Sequence, residues 1–195
     1  ITCKVNDKSL WLSLTAGLSL VFAYAPFSQW WLPVLVLPLW FNLLIKQYQA
    51  PGEQRVKTVF KHSFTFGLGW FAGGISWVHV SIAEFGGMPL VVSILLMLVL
   101  CLYLAIFPAL AGYLTAKSST LLSKNNTLLL LLFPCFWLLT EYLRSVVLTG
   151  FPWLSLGYSQ INGPLAPLAP IIGEIGISFC LLLFTAAIAL LCNSG

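Results

Sequence analysis

Charge is scarce in this sequence. Lys and Arg number nine and Asp and Glu five among 195 residues, so charged residues make up 7%, against about 25% in a soluble domain. So few charges cannot cover the surface of a water-soluble globule. The apolar fraction of 59% excludes a disordered or collagen-like chain. Histidine occurs twice, with no HExxH pattern. The five cysteines (Cys3, Cys101, Cys135, Cys180 and Cys192) form no CxxC pair, and their odd number argues against a full disulfide framework. No metal site and no cofactor are expected. The chain opens on Ile1 and closes on Asn193-Ser194-Gly195 without a clear terminal element, so a piece of a longer protein is expected.

What is present is long apolar segments and a mean hydropathy of +0.97. The pattern reads as an all-α, polytopic transmembrane helical bundle of about six spans. They run over approximately 10–25, 30–45, 62–80, 89–116, 127–148 and 168–191, so that residues 1–195 form one transmembrane domain. The first two segments are slightly short of the ~20 residues that cross a bilayer. Lys4, Lys8 and Ala23-Tyr24-Ala25 resemble a signal peptide with its cleavage site. Pro26 is unfavourable after such a cut, and the apolar segments continue along the chain, which favours a first span. Pro33, Pro38, Pro108 and Pro134 predict kinks or breaks.

Loop charges set the orientation. With the N-terminus cytoplasmic, Lys4, Lys8, Lys46, Arg55, Lys57, Lys61, Lys117 and Lys124 lie inside and Arg144 alone lies outside. That is the positive-inside distribution. The basic residues therefore need no nucleic-acid partner.

Few residues could carry chemistry. Gly69 and Gly73 form a GxxxG pair, suited to close helix packing or to a groove beside a bare helix face. Residues 81–88 read as an outer loop holding Glu84 and the Gly86-Gly87 turn. His79 reads as an interfacial hydrogen-bonder. Glu141 and Arg144, at i and i+3, share a helix face and can pair. Either the pair pins the helix end or Arg144 meets a lipid phosphate. Glu174 lies between Gly173 and Gly176 with no evident partner. The stretch 148–164 carries Gly150, Phe151, Pro152, Trp153 and Tyr158 without one charge. It is either a shallow interfacial segment or the lining of a site open to lipid.

Several stretches together resemble one family. They are Ala25-Pro26-Phe27, Gly67-Leu68-Gly69-Trp70-Phe71, Gly74 through Trp77-Val78 and Ser81 to Phe85-Gly86-Gly87-Met88-Pro89, Thr140-Glu141-Tyr142-Leu143-Arg144, and Thr149-Gly150-Phe151-Pro152-Trp153 through Gly157-Tyr158-Ser159-Gln160. In that order they are similar to the N-terminal membrane portion of apolipoprotein N-acyltransferase. The resemblance implies a transferase of lipoprotein biosynthesis in the bacterial inner membrane, its active side periplasmic. It moves an acyl chain from a phospholipid donor to the N-terminal cysteine amine of a diacylated lipoprotein acceptor. The family's chemistry runs through a cysteine thioester, with Glu and Lys, in a periplasmic nitrilase-like domain. No position here matches that Glu-Lys-Cys set, so no catalytic residue is carried over. The domain is expected to be absent from this chain, and the fragment alone inactive. The resemblance points to Arg144, Gly150, Phe151, Trp153 and Tyr158 as lipid- and substrate-binding residues, with Arg144 on a phosphate. A transporter or channel subunit, or a non-catalytic lipid-binding scaffold, are the competing readings.

Overall fold

A computed structural model describes residues 7–122 and 126–193, with side chains for 7–118 and 131–192. Cys3, Lys4 and Lys124 lie outside the described residues. Helices α1 (Asp7–Ser19), α2 (Leu32–Tyr48), α3 (Gly52–Gly74), α4 (Val78–Glu84), α5 (Leu90–Leu122), α6 (Asn126–Val146) and α7 (Ala169–Asn193) follow one another, with no strand among the described residues. Short 3-10 turns extend α1 (Leu20–Ala23) and punctuate the passage from α6 to α7 (Val147–Thr149, Leu156–Gln160 and Ala166–Leu168).

Three stretches are long and apolar enough to cross a membrane: Leu90–Ser118, Leu131–Thr149 and Ala166–Cys192. A fourth is the pair α3 and α4, bent by 49°. Helix α2 is shorter but apolar. At 13 residues, α1 is about 20 Å long, below the ~30 Å hydrocarbon thickness. Length and composition thus give three or four membrane-type spans among the described residues, where the sequence reads as about six. The surface is consistent with an apolar solvent. Val91, Val99, Phe184 and Leu191 stand largely exposed on α5 and α7, which in water would be an aggregation liability.

Each of the six apolar segments nevertheless contains a helix. Helix α3 starts ten residues before the expected 62, because the boundary was set where the charges stop. Arg55, Lys57 and Lys61 are helical as well, and Lys57 pairs with Glu53 at 3.4 Å on the exposed face. Residues 78–84 form α4, so that 81–84 is helical where a loop is expected; the Gly86-Gly87 turn follows it. The prolines break nothing. Pro33 occupies the first turn of α2, where its missing N–H is harmless. Pro38, Pro108 and Pro134 sit inside continuous helices. The interruption falls at Gly173 in α7, with φ 66° and ψ 179°.

Helix α3 is central, packed against α1 on one side and α5 on the other; α6 and α7 close the bundle, and α2 lies against α7. Hydrocarbon tails are as apolar as leucine, so burial contributes little to helix association in lipid, and close packing and hydrogen bonds must hold it. Glycine permits the first. A Cβ on Gly17 would lie 1.9 Å from the Phe66 carbonyl oxygen, and one on Gly69 would lie 2.2 Å from that of Leu14. The two backbones therefore touch. Gly73 extends the seam, with Leu18 and Val21 lying over it. Buried His62 supplies hydrogen bonds: its Nδ1 is 2.9 Å from Ser13 Oγ and its Nε2 is 3.5 Å from Ser9 Oγ. Below the seam, Trp40 stacks on Phe66 at 3.9 Å between ring centroids, and Trp70 stacks on Trp137 at 5.8 Å.

Gly69→Leu should therefore force α1 off α3. We expect a loss of about 1–3 kcal/mol or more, read as a lower unfolding midpoint in detergent. Leu39→Ala, on an exposed α2 position, should leave the midpoint nearly unchanged.

Candidate functional site

The end of α6 carries a buried ion pair. Arg144 and Glu141 face each other at 3.5 Å, their side chains 3% and 5% exposed. A lone charge in such a place is costly, and a pair is tolerated only when its remaining donors and acceptors also find partners. The following loop provides several of them, while Glu141 Oε2 has no hydrogen-bond partner among the described residues. After Val146 the backbone turns left-handed at Leu148 (φ 53°), Thr149 (φ 72°) and Gly150 (φ 81°). A Cβ on Gly150 would lie 2.0 Å from the Ser145 carbonyl, so the turn requires glycine there. The chain then folds back over α6, and the Phe151 N–H donates to the Arg144 carbonyl at 2.8 Å.

Arg144 Nη1 donates to the carbonyls of Phe151 at 2.9 Å and Trp153 at 2.5 Å. Its guanidinium lies 5.4 Å over the Phe71 ring. Glu141 Oε1 accepts the Leu156 N–H at 2.8 Å. Helix α7 holds the next residues: Ser178 Oγ accepts the Gly157 N–H at 2.8 Å, and the Ser155 hydroxyl donates to Glu174. A Cβ on Gly157 would lie 2.1 Å from the Glu174 carbonyl, so loop and helix touch. Tyr24 donates to the Ser155 carbonyl at 3.3 Å, and Gln160 Nε2 to that of Trp30 at 2.9 Å. The charges thus face inward, on backbone groups.

The other face of the loop is aromatic. Trp153 stacks on Trp77 at 5.0 Å, and Phe151 lies 6.0 Å from Trp153. Trp77 and Trp153, with Tyr158, Leu154 and Ile161 from the loop and Tyr24 and Ile75, line an open groove of about 530 Å³. That volume is in the range of small-molecule sites. No charged side chain lines it.

The five residues expected to bind lipid therefore divide. Trp153 and Tyr158 line the groove. Gly150 turns the loop, and Phe151 supports Trp153 from behind. Arg144 does not line the groove: its Nη1 holds two carbonyls and its Nη2 faces Glu141. Sequence reasoning missed Tyr24 and Ser155. Glu174 and its partner Ser155 are 19 residues apart on different elements, so no local spacing could show the pair. Glu84 is exposed, and His79 Nδ1 contacts the Ser76 carbonyl one helical turn away. Among the described residues no three His, Cys, Asp or Glu side chains gather where they could hold a metal ion.

The sequence profile of the apolipoprotein N-acyltransferase N-terminal domain matches residues 16–187, which include every element of the groove. The chain belongs to the apolipoprotein N-acyltransferase family. Relatives of that name come from Shewanella oneidensis (45% identical over 96% of this chain and 35% of the relative), Photobacterium profundum (43%, over 92% and 33%) and Vibrio cholerae (44%, over 87% and 32%). The chain spans about one third of the length of these curated relatives. The stretch Thr149-Gly150-Phe151-Pro152-Trp153 is the loop that wraps Arg144, and Thr140-Glu141-Tyr142-Leu143-Arg144 is the helix end that it wraps.

Arg144→Ala should strand Glu141 and two loop carbonyls. A cost of about 3–5 kcal/mol is expected for breaking a buried pair, together with protease cleavage within 147–165. Glu174→Gln still accepts the Ser155 hydroxyl and should cost under about 1 kcal/mol. Limited proteolysis and thermal unfolding of the two variants check both expectations.

Proposed function

We propose that this chain is the membrane part of an acyltransferase that holds a phospholipid donor for transfer of its acyl chain to the N-terminal cysteine amine of bacterial lipoproteins. The observation that carries this reading is the charge-free groove at Trp77, Trp153 and Tyr158. Tryptophan and tyrosine suit the headgroup level of a bilayer, and an apolar groove there admits an acyl chain from the side. Trp153 and Tyr158 contact the lipid. Phe151 and Gly150 shape the loop, and Arg144 acts by holding its carbonyls rather than by meeting the phosphate. The diacylated lipoprotein is the acceptor. The family's acyl-transfer chemistry falls to a Glu-Lys-Cys set, and no position among these 195 residues matches it.

The proposed topology is six crossings in the bacterial inner membrane with a cytoplasmic N-terminus. Helices α1 and α2 then complete their crossings with flanking residues, and the groove faces the periplasm. Two cysteine probes, in a background without the native cysteines, test it. A membrane-impermeant maleimide added to spheroplasts should label Glu84→Cys and spare Lys57→Cys. The opposite pattern would reverse the orientation.

The functional test is a chimera in which this chain replaces the matching third of the Shewanella relative. The chimera should N-acylate a diacylated lipoprotein substrate. Trp153→Ala should lower kcat/KM by about tenfold or more, the equivalent of about 1.4 kcal/mol of lost transition-state stabilisation. A folded but inactive chimera would favour the scaffold or transport readings instead.

A further inference from the structure

A second, smaller cavity adjoins the groove. It measures about 90 Å³, and Ala25, Tyr158 and Ile161 line both spaces. Its other walls are of a different kind, with Ser28, Ser159 and Asn162 contributing polar groups. Ser159 is already engaged: its hydroxyl donates to the Leu156 carbonyl at 2.7 Å and accepts from Gln160 Nε2 at 3.3 Å. The side chains of Ser28, Tyr158 and Asn162 make no hydrogen bond to any described residue. Ser28 stands in the left-handed region at φ 54°, a conformation that costs a non-glycine residue about 1–3 kcal/mol and that clusters at ligand-contacting positions. Its N–H is tied to the Tyr24 carbonyl at 2.9 Å, which fixes where its hydroxyl starts.

Charge is absent from both cavities. A phosphate placed in the small one would meet no cation and would lose its water, a heavy penalty. A neutral group with several oxygen acceptors would instead find two hydroxyls and an amide. The cavity, at about 90 Å³, is several times the ~10–15 Å³ that a single water needs, which suits a glycerol-sized group. It also joins directly onto a groove shaped for an apolar chain.

We infer that the small cavity takes the ester-linked glycerol of a membrane glycerolipid whose acyl chain lies in the groove. The chain grips the lipid by its uncharged middle and is indifferent to the charge of the headgroup. This rests on the groove being an acyl-chain site.

The test uses the full chain in detergent micelles and native mass spectrometry with three dipalmitoyl lipids: phosphatidylethanolamine, phosphatidylglycerol and diacylglycerol. All three should bind within about threefold of one another. Ser28→Ala and Asn162→Ala should each weaken all three alike by about fivefold, the equivalent of one hydrogen bond of ~1 kcal/mol. An unchanged unfolding midpoint shows that these variants fold. A diether phosphatidylethanolamine, which lacks the ester carbonyls, should bind more weakly than its ester counterpart. A preference above tenfold for either phospholipid over diacylglycerol would overturn the inference and leave the groove intact. So would Ser28→Ala and Asn162→Ala variants that bind all three lipids as the parent does. If no lipid binds, or if Trp153→Ala binds as well as the parent, the acyl-chain groove itself falls and the glycerol site with it.

Discussion

Arg144 must find partners where little water reaches, and the shape of one end of the molecule follows from how it does so. Glu141, one helical turn away, answers its charge, but a guanidinium also has N–H groups to satisfy. Two loop carbonyls, those of Phe151 and Trp153, meet Nη1. They can do so only because the chain turns back on itself within a few residues of Val146. That reversal requires left-handed backbone at Leu148, Thr149 and Gly150. The turn in turn pushes Trp153 outward against Trp77. One buried cation thereby fixes the path of a loop whose exposed face is wholly uncharged.

Much of the bundle was legible in the sequence because apolar length and glycine spacing act locally. Gly69 and Gly73 announced a close crossing, and Gly69 does lie against the Leu14 carbonyl. The partner glycine on α1, Gly17, was not foreseen, since nothing within one segment says which other segment it will meet. Charge misled at α3: Arg55, Lys57 and Lys61 mark where apolar solvent ends, not where the helix does. The prolines predict kinks or breaks, and no break falls at Pro38, Pro108 or Pro134. Each removes one N–H, and the helix runs on regardless. Gly173, which has no Cβ to resist φ 66°, makes the actual break.

At the site, residue type could be read but direction could not. Glu141 and Arg144 were recognisable as a pair from their spacing. Whether the guanidinium faced lipid or protein depends on the fold of a loop without periodicity, and the loop turned out to cover it. The motif Thr149-Gly150-Phe151-Pro152-Trp153 gains a physical meaning from this. Gly150 makes the turn, Phe151 and Trp153 lend their carbonyls to Arg144, and the Trp153 ring faces the groove.

The break at Gly173 bears on a charge that Arg144 does not meet in an ion pair. Because the residue is non-helical, α7 is electrically two helices, and its longer part begins at Glu174. A helix start leaves its first peptide N–H groups without an intrahelical carbonyl, and partial positive charge gathers there. Glu174 stands in that first turn, with the Ser155 hydroxyl donating to it from the loop. The macrodipole of α7 therefore supports the second carboxylate. The bundle end can keep two acidic side chains with a single arginine, and the helix axis itself supplies the missing fraction of positive charge.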